Sequence, residues 1–479
     1  MKLLFLLYCS ILVSCASVPK VKHLEMAALP SKGWTGGDGA AGAVGNKWWK
    51  HLGVVALDSL VIEAWAHNHD LQAAAARLDM VRAQALLAGT SLQPQLGAGV
   101  RGAPLRKQNY AGFPLPGGGG EVPSSTAQSY GVELILSWEV DLWGRLRAGA
   151  AAALADMQAS EADLRAAHLS LAAQIARTYC AAIEARGQVD LAAATVENYR
   201  LSNAQIQRRY QRGLRTSLDL RLGRSSLAAA RATLAQRRQQ QDRVRRQFEL
   251  LLGRYPEGVL EVEGTLPVLD APVPAGLPAE LVGRRPDLVA AERRLAASHQ
   301  RLAESRAALY PRISLTASGG RSSSALGELL NGNFSVWNLL GNISQPILQR
   351  KEVRAGLNLA RAGVDQALII YAGSVLRACA EVEAALAAEV FLVLQEEALA
   401  LAAEEALAAR QLAAERYGKG LADLITLLEA QRRAFDAESR LLAVRRQRLD
   451  GRIDLHLALG GGFSAEEELL FSIGPEKQL

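Results

Sequence analysis

The sequence predicts a mainly helical protein with a minority of membrane β-strands, organised as long antiparallel coiled coils in an internal tandem repeat. Three observations point there. Hydrophobic residues make up 49% of the chain but aromatic residues only 5%, so alanine, the strongest helix former, carries much of the apolar content. Short landmarks recur at nearly constant displacement, the mark of a duplicated architecture. Between the helical stretches lie segments of about ten residues that alternate apolar and polar, as barrel strands do.

The elements follow in chain order. Lys2 and the apolar run Leu3 to Val13 form a signal peptide over residues 1–14, too short for a permanent membrane helix, which needs about 20 apolar residues. The run ends in Leu12-Val13-Ser14-Cys15, which resembles a bacterial lipobox and marks Cys15 for acylation, palmitate included. Residues 15–66 are then a lipidated N-terminal tether, opened by the small residues Ala16 and Ser17, and a first periplasmic segment. Lipoprotein sorting keeps chains with aspartate after the cysteine at the inner membrane. Ala16 stands there instead, which favours the outer membrane. No later apolar run approaches the ~18 residues of a spanning helix. The richest, Ala384 to Ala414, is interrupted by Glu389, Glu396, Glu397, Glu404 and Glu405. A mature chain that crosses a membrane must therefore do so as a β-barrel.

The repeat is read from paired landmarks. Asp70-Leu71 and Gln93-Pro94 bound a helical stretch whose counterpart, Asp287-Leu288 to Tyr310-Pro311, lies 217 residues on. Arg147-Ala148-Gly149 returns as Arg354-Ala355-Gly356, and Tyr210-Gln211-Arg212-Gly213-Leu214 as Tyr417-Gly418-Lys419-Gly420-Leu421, both displaced by 207. The first half therefore holds ten extra residues between Pro94 and Arg147. Phe113-Pro114-Leu115-Pro116 and the run Gly117 to Gly120 sit in that stretch and predict an exposed loop.

Each half reads as helix, short β region, long helix, turn and return helix. Repeat 1 spans 67–252 and repeat 2 spans 286–459; a proline-rich linker (253–285) joins them and a C-terminal tail (460–479) follows. The long helical patterns, about Asp141 to Tyr210 and about Arg350 to Tyr417, would each extend on the order of 100 Å. With returns over Ser217 to Leu252 and Asp423 to Leu459 they form antiparallel coiled coils.

The β regions come in pairs. Tyr130, Val132, Leu134, Leu136, Trp138 and Val140 alternate with Gly131, Glu133, Ile135, Ser137 and Glu139. Gln95 to Ala103 and Arg312 to Gly320 alternate more weakly, and a fourth strand is expected near Leu339 to Ile347. Four strands cannot close a membrane barrel, which needs about eight. Several copies must contribute, in cyclic arrangement.

The net charge of +6 is unevenly spread. Gln205 to Arg254 carries thirteen arginines against Asp219, Asp242 and Glu249, without interleaved aromatics. This reads as a solvated helix face and not as a nucleic-acid surface. Cys180 and Cys379 sit in helical patterns as small apolar residues. His67-x-His69 lacks further ligands at metal spacing, so neither a metal nor a cofactor other than the lipid on Cys15 is expected. No phosphate-binding loop or catalytic constellation appears, and the chain is not expected to be an enzyme.

Several motifs carry a family resemblance: Trp48-Trp49, Gly276-Leu277-Pro278, Arg284-Arg285-Pro286-Asp287-Leu288, Tyr310-Pro311, Tyr417-x-x-Gly420-Leu421, Leu427-Leu428-Glu429-Ala430-Gln431-Arg432 and Ala458-Leu459-Gly460-Gly461-Gly462. In this order they resemble the TolC-like outer-membrane efflux channels, most closely the lipidated OprM-like branch, over nearly the whole chain after the signal peptide. The resemblance implies a homotrimer whose 12-stranded β-barrel, four strands per chain, lies in the outer membrane above a coiled-coil α-barrel in the periplasm. It also implies the exit duct of a tripartite pump, with a periplasmic adaptor and an inner-membrane transporter of RND type as partners.

Site residues follow by matching. The turns with Tyr210, Gly213, Leu214 and with Tyr417, Gly420, Leu421 fall at the periplasmic tip, where family members meet the adaptor. Gly213 and Gly420 suit positive φ, and Thr216 and Asp423 are good helix N-caps. The family's aperture carries two aspartate rings in TolC itself. The matching positions here are Thr426 and Glu429, leaving one acidic ring expected to attract cations. A periplasmic adaptor or a purely structural coiled-coil lipoprotein is the competing reading, without a channel.

Overall fold

The computed structural model describes residues 34–35, 47–102, 106–109, 124–269, 273, 281–345, 347–348 and 350–461. Cys15 with its signal segment, the loop Phe113 to Gly120, Gly276-Leu277-Pro278 and the tail beyond 461 lie outside them. After a 3₁₀ turn at Trp48–Leu52 come α1 (Val55–His67) and α2 (His69–Thr90). Strands β1 (Gln95–Arg101), β2 (Arg106–Asn109), β3 (Ser124–Ala127) and β4 (Tyr130–Val140) follow. Next are the 67-residue α3 (Arg145–Gln211) and its return α4 (Ser217–Leu251). The second half has α5 (Pro286–Ala307), β5 (Arg312–Ser323), β6 (Ser335–Ser344), the 69-residue α6 (Arg350–Gly418) and α7 (Leu424–Ala458).

Small residues let the long helices pack closely. Ala148, Ala152, Ala155, Ala159 and Ala162 step by four and three along α3 and are all buried. This seven-residue period keeps one seam facing α5. Ion pairs Asp156–Arg301 and Asp163–Arg294 flank that seam. Lower down, α3 packs on α4 and α7, and α7 on α6, giving the lateral order α4-α3-α7-α6. Gln188 and Ser439 bind each other across the α3–α7 contact at 2.8 and 3.0 Å, and Gln431 donates to Ser202 at 3.0 Å. Arg177–Asp454 and Glu184–Arg446 pair across the same contact.

The main core sits at mid-length of these helices. There Trp48, Trp49, Leu57 and Val61 pack on Ala172, Ile175 and Ala176 of α3, Phe248 of α4 and Ile453 of α7. Burial of Cys180 in this core pushes its thiol up to about 12, so it stays protonated and unreactive. Glu249, only 2% exposed at the end of α4, accepts the N–H groups of Gly258, Val259 and Leu260 at 2.6, 2.8 and 2.9 Å. One carboxylate thereby fixes the irregular linker strand over the core.

Strands β1, β4, β5 and β6 form one antiparallel sheet in that order, with β1 and β6 as open edges. The register brings apolar residues to one face: Leu96 and Val100, Val132, Leu134 and Leu136, Ile313 and Leu315, Trp337, Leu339 and Ile343. The other face is polar, with Glu133, Ser137, Glu139, Ser314, Thr316, Ser318, Asn338 and Asn342, and carries the Arg101–Glu133 pair at 2.6 Å. Two expectations need correction. The fourth strand is Ser335–Ser344, four residues earlier at its start, because Val336 and Leu340 put apolar groups on the second face and blur the alternation. The stretch between β1 and β4 is not all loop: β2 and β3 pair as a separate polar hairpin.

Candidate functional site

The turns between α3 and α4 and between α6 and α7 are built alike. Gly213 (φ +73°) and Gly420 (φ +79°) adopt the left-handed conformation that ends each descending helix. Leu214 N–H returns to the Arg209 carbonyl at 2.9 Å and Leu421 N–H to the Arg416 carbonyl at 2.8 Å, satisfying carbonyls that the helix ends leave open. Thr216 and Asp219 form a reciprocal capping box on α4, at 3.2 and 3.3 Å. Asp423 accepts the Thr426 N–H at 2.8 Å on α7. Hydrogen bonds from the Thr426 side chain and its backbone N–H hold the Asp423 carboxyl below its ordinary range.

The two turns differ in what covers them. Tyr417 is fully buried, packed with Ile206, Leu424 and Leu427, whereas Tyr210 is 41% exposed. Arg209 makes the difference. Its guanidinium donates to the Tyr417 carbonyl at 3.0 Å and the Gly418 carbonyl at 2.6 Å, and lies 5.0 Å from the Tyr417 ring centre. Arg215 approaches the same ring at 5.1 Å. One arginine of the first hairpin thus closes the helix end of the second. Sequence reasoning missed Arg209, although it stands beside Tyr210 in a landmark that recurs. At the very end, Leu214 (67%) and Leu421 (74%) are exposed.

Thr426 and Glu429, the positions matched to the family's aperture, lie one turn apart on α7. Thr426 is exposed, and Glu429 is tied to both Arg432 (2.8 Å) and Arg433 (2.7 Å). Arg432 is shared with Asp436 at 2.9 Å. Hydrogen bonds from Arg432 and then Arg433 pull the Glu429 carboxyl down to about 2. The Glu429 carboxylate is therefore one member of a network of two acids and two arginines. Its formal charge balances within the chain.

Long paired helical hairpins, an amphipathic strand sheet at one end and paired glycine turns at the other are the parts of an outer-membrane channel component. The outer membrane efflux protein family model matches residues 60–254 and 277–461, and the chain belongs to that family. It is 31% identical over 444 residues to the pyoverdine export outer membrane protein OpmQ of Pseudomonas putida, covering 92% of this chain and 94% of that one. It is 32% identical over 415 residues to the toluene efflux pump outer membrane protein TtgI of Pseudomonas putida, covering 86% of each. The solved outer-membrane channel OprN matches 94% of this chain and 99% of its own with a TM-score of 0.85 at 29% identity. The protein is thus an outer-membrane efflux channel, the exit component of a tripartite pump. The adaptor and structural-lipoprotein readings fall with that membership. The family is one of transporters, not enzymes.

Proposed function

We propose that three copies close a ring of twelve strands in the outer membrane and a periplasmic tube of twelve long helices, through which substrates pass passively. The open-edged sheet carries this reading. Its apolar face, spanning strands of seven to twelve residues, suits lipid, and its unpaired β1 and β6 edges suit β6-to-β1 pairing between copies. An inner-membrane transporter of RND type supplies the energy. A periplasmic adaptor docks on the exposed Leu214 and Leu421 of the tip turns, and opening parts the hairpins around Thr426 and Glu429. The duct itself selects no substrate: relatives of nearly equal identity carry names for pyoverdine export and for toluene efflux. Planar-bilayer conductance together with an SDS-resistant oligomer tests the reading; a monomer that conducts nothing would sink it.

Two expected results belong here. Removing both guanidiniums, Arg432→Ala with Arg433→Ala, leaves a bare Glu429 in each copy. Reversal potentials in a salt gradient should move from weak to marked cation selectivity, and the gain should vanish below about pH 4, where an unpaired glutamate protonates. Unchanged selectivity would place the network away from the pore. For the anchor, Cys15→Ser behind a replacement cleavable signal should still reach the outer membrane and keep export activity, because the barrel is the main attachment. Loss of all assembled channel in membrane fractions would show the lipid to be indispensable.

A further inference from the structure

At mid-length of the helical wall, α7 ends against the start of α5. A side chain at Gly460 would collide with the Arg284 carbonyl, and Arg285 donates to the Ala458 carbonyl at 3.0 Å. Between α3 and α6 this junction leaves a cavity of about 560 Å³. Its walls are small and apolar: Ala166 and Leu169 of α3, Ala384 and Ala388 of α6, and Leu457 of α7. Arg285 is the one cation among its lining residues, against the carboxylates of Asp287, Glu381 and Asp454. Asp287 and Glu381 clamp Arg285 at 2.9 and 2.7 Å, and Arg177 answers Asp454 from outside the cavity. Two guanidiniums against three carboxylates leave one negative charge over. All three carboxylates stay half-exposed, with oxygens open to a guest. We propose that this cavity binds an organic cation with an apolar body, an amine or quaternary ammonium, as it passes through the duct. The volume is that of an ordinary small-molecule site, and the apolar walls with a few polar groups are its usual composition.

The duplication shows what is particular to this junction. In the first half α4 ends against the start of α2, where Asn68 donates to the Leu251 carbonyl at 3.0 Å in the place of Arg285 and Ala458. At the 207-residue displacement, Arg177 stands for Ala384, Thr178 for Ala385 and Val244 for Gly451, three larger side chains. Gln174 stands for Glu381 and Gln247 for Asp454, so amides replace two of the carboxylates. Room and negative charge therefore arise together, in the second half alone. The cavity opens away from the core. His456 stacks on Trp48 at 5.2 Å, so that face of α7 is covered by the N-terminal segment. Gly451 and Asp454 lie about half a turn round the helix from it. The 3₁₀ turn, α1 and the linker would obstruct the bore if they faced it, which puts them outside the tube and the cavity inside. That placement rests on the duct reading above. The cavity itself does not, because one chain supplies its whole lining.

Equilibrium dialysis of the detergent-solubilised full chain, against matching detergent, tests the site with benzyltriethylammonium as probe. The parent should bind it. Tetramethylammonium, which lacks the apolar body, and benzenesulfonate, which reverses the charge, should bind far less. Ala384→Phe, which fills the cavity from an exposed wall position, should abolish binding. Glu381→Gln with Asp454→Asn should weaken it roughly threefold to tenfold, as the loss of two solvent-screened ion contacts does. Both variants should keep the SDS-resistant oligomer. Equal binding by parent and Ala384→Phe, or equal uptake of probe and sulfonate, would sink the site, while an oligomer that conducts keeps the duct. A chain that binds the probe as expected but neither assembles nor conducts would sink the duct and the bore placement, and leave the site. Binding seen only after deletion of residues 462–479 would make the chain's own tail the occupant and overturn the proposal.

Discussion

Glu249→Leu is expected to lower the melting temperature of the protein. The carboxylate is buried and receives the backbone N–H groups of the consecutive linker residues Gly258, Val259 and Leu260. Leucine would leave these three half-exposed donors without that partner, at the low end of about 1–3 kcal/mol each. Burying its apolar side chain returns about 2 kcal/mol. At the low end the net loss is about 1–3 kcal/mol, a sizeable share of an ordinary domain's stability of about 5–15 kcal/mol. Glu249→Gln keeps an acceptor and should cost roughly half as much. Burial alone would raise the Glu249 pKa, but the bonds from Gly258, Leu260 and Val259 outweigh it and the net shift is downward. The sign follows: the contribution is complete above the ordinary glutamate value and is lost as pH falls through the lower folded value. Thermal melts of the detergent-solubilised protein should show Glu249→Leu low at every pH. The parent alone should lose stability as pH falls below the ordinary glutamate value and through the lower folded one. Equal melting temperatures for parent and leucine variant would refute the role.

This carboxylate also shows where sequence reading stops. Glu249 stands in an arginine-rich return helix and looks like one more solvated charge; only the path of the linker over it makes it a structural acceptor. The long helices were legible because alanine at four- and three-residue steps has one physical use, close helix packing, and because the landmarks recur. The turns were legible because Gly213 and Gly420 must take positive φ and Thr216 and Asp423 must cap. Strand β6 was misplaced because Trp337 and Leu340 put bulk on both faces. The β2–β3 hairpin, Arg-Lys-Gln-Asn against Ser-Ser-Thr-Ala, has no apolar alternation to read. Glu429 was singled out by family position alone, and its pairing was not read, although Arg432 and Arg433 follow at helical spacing and could have signalled it.

Arg209→Ala should open the tube. The two hairpins of one chain are held together at their ends through one guanidinium, which bonds the Tyr417 and Gly418 carbonyls of the opposite helix terminus and faces its buried tyrosine. Splaying the hairpins breaks those bonds, while the internal bonds of each turn remain, because Gly213, Gly420 and both N-caps act within a single hairpin. Two charge-assisted bonds at a partly exposed site are worth about 2 kcal/mol together. Three copies acting in concert give about 6 kcal/mol, against the ~5.5 kcal/mol that moves a two-state equilibrium from 1:99 to 99:1. A channel almost always shut should therefore become one almost always open, with a large rise in single-channel conductance in planar bilayers. Arg209→Lys keeps the charge but loses the planar fork that reaches both carbonyls, so it should fall between. The fold should tolerate the alanine, since Arg209 is only half-buried and the tyrosine cluster keeps Ile206 and Leu424. Conductance unchanged from the parent would mean that the tips are held shut elsewhere, with the Glu429 network on α7 the next place to cut.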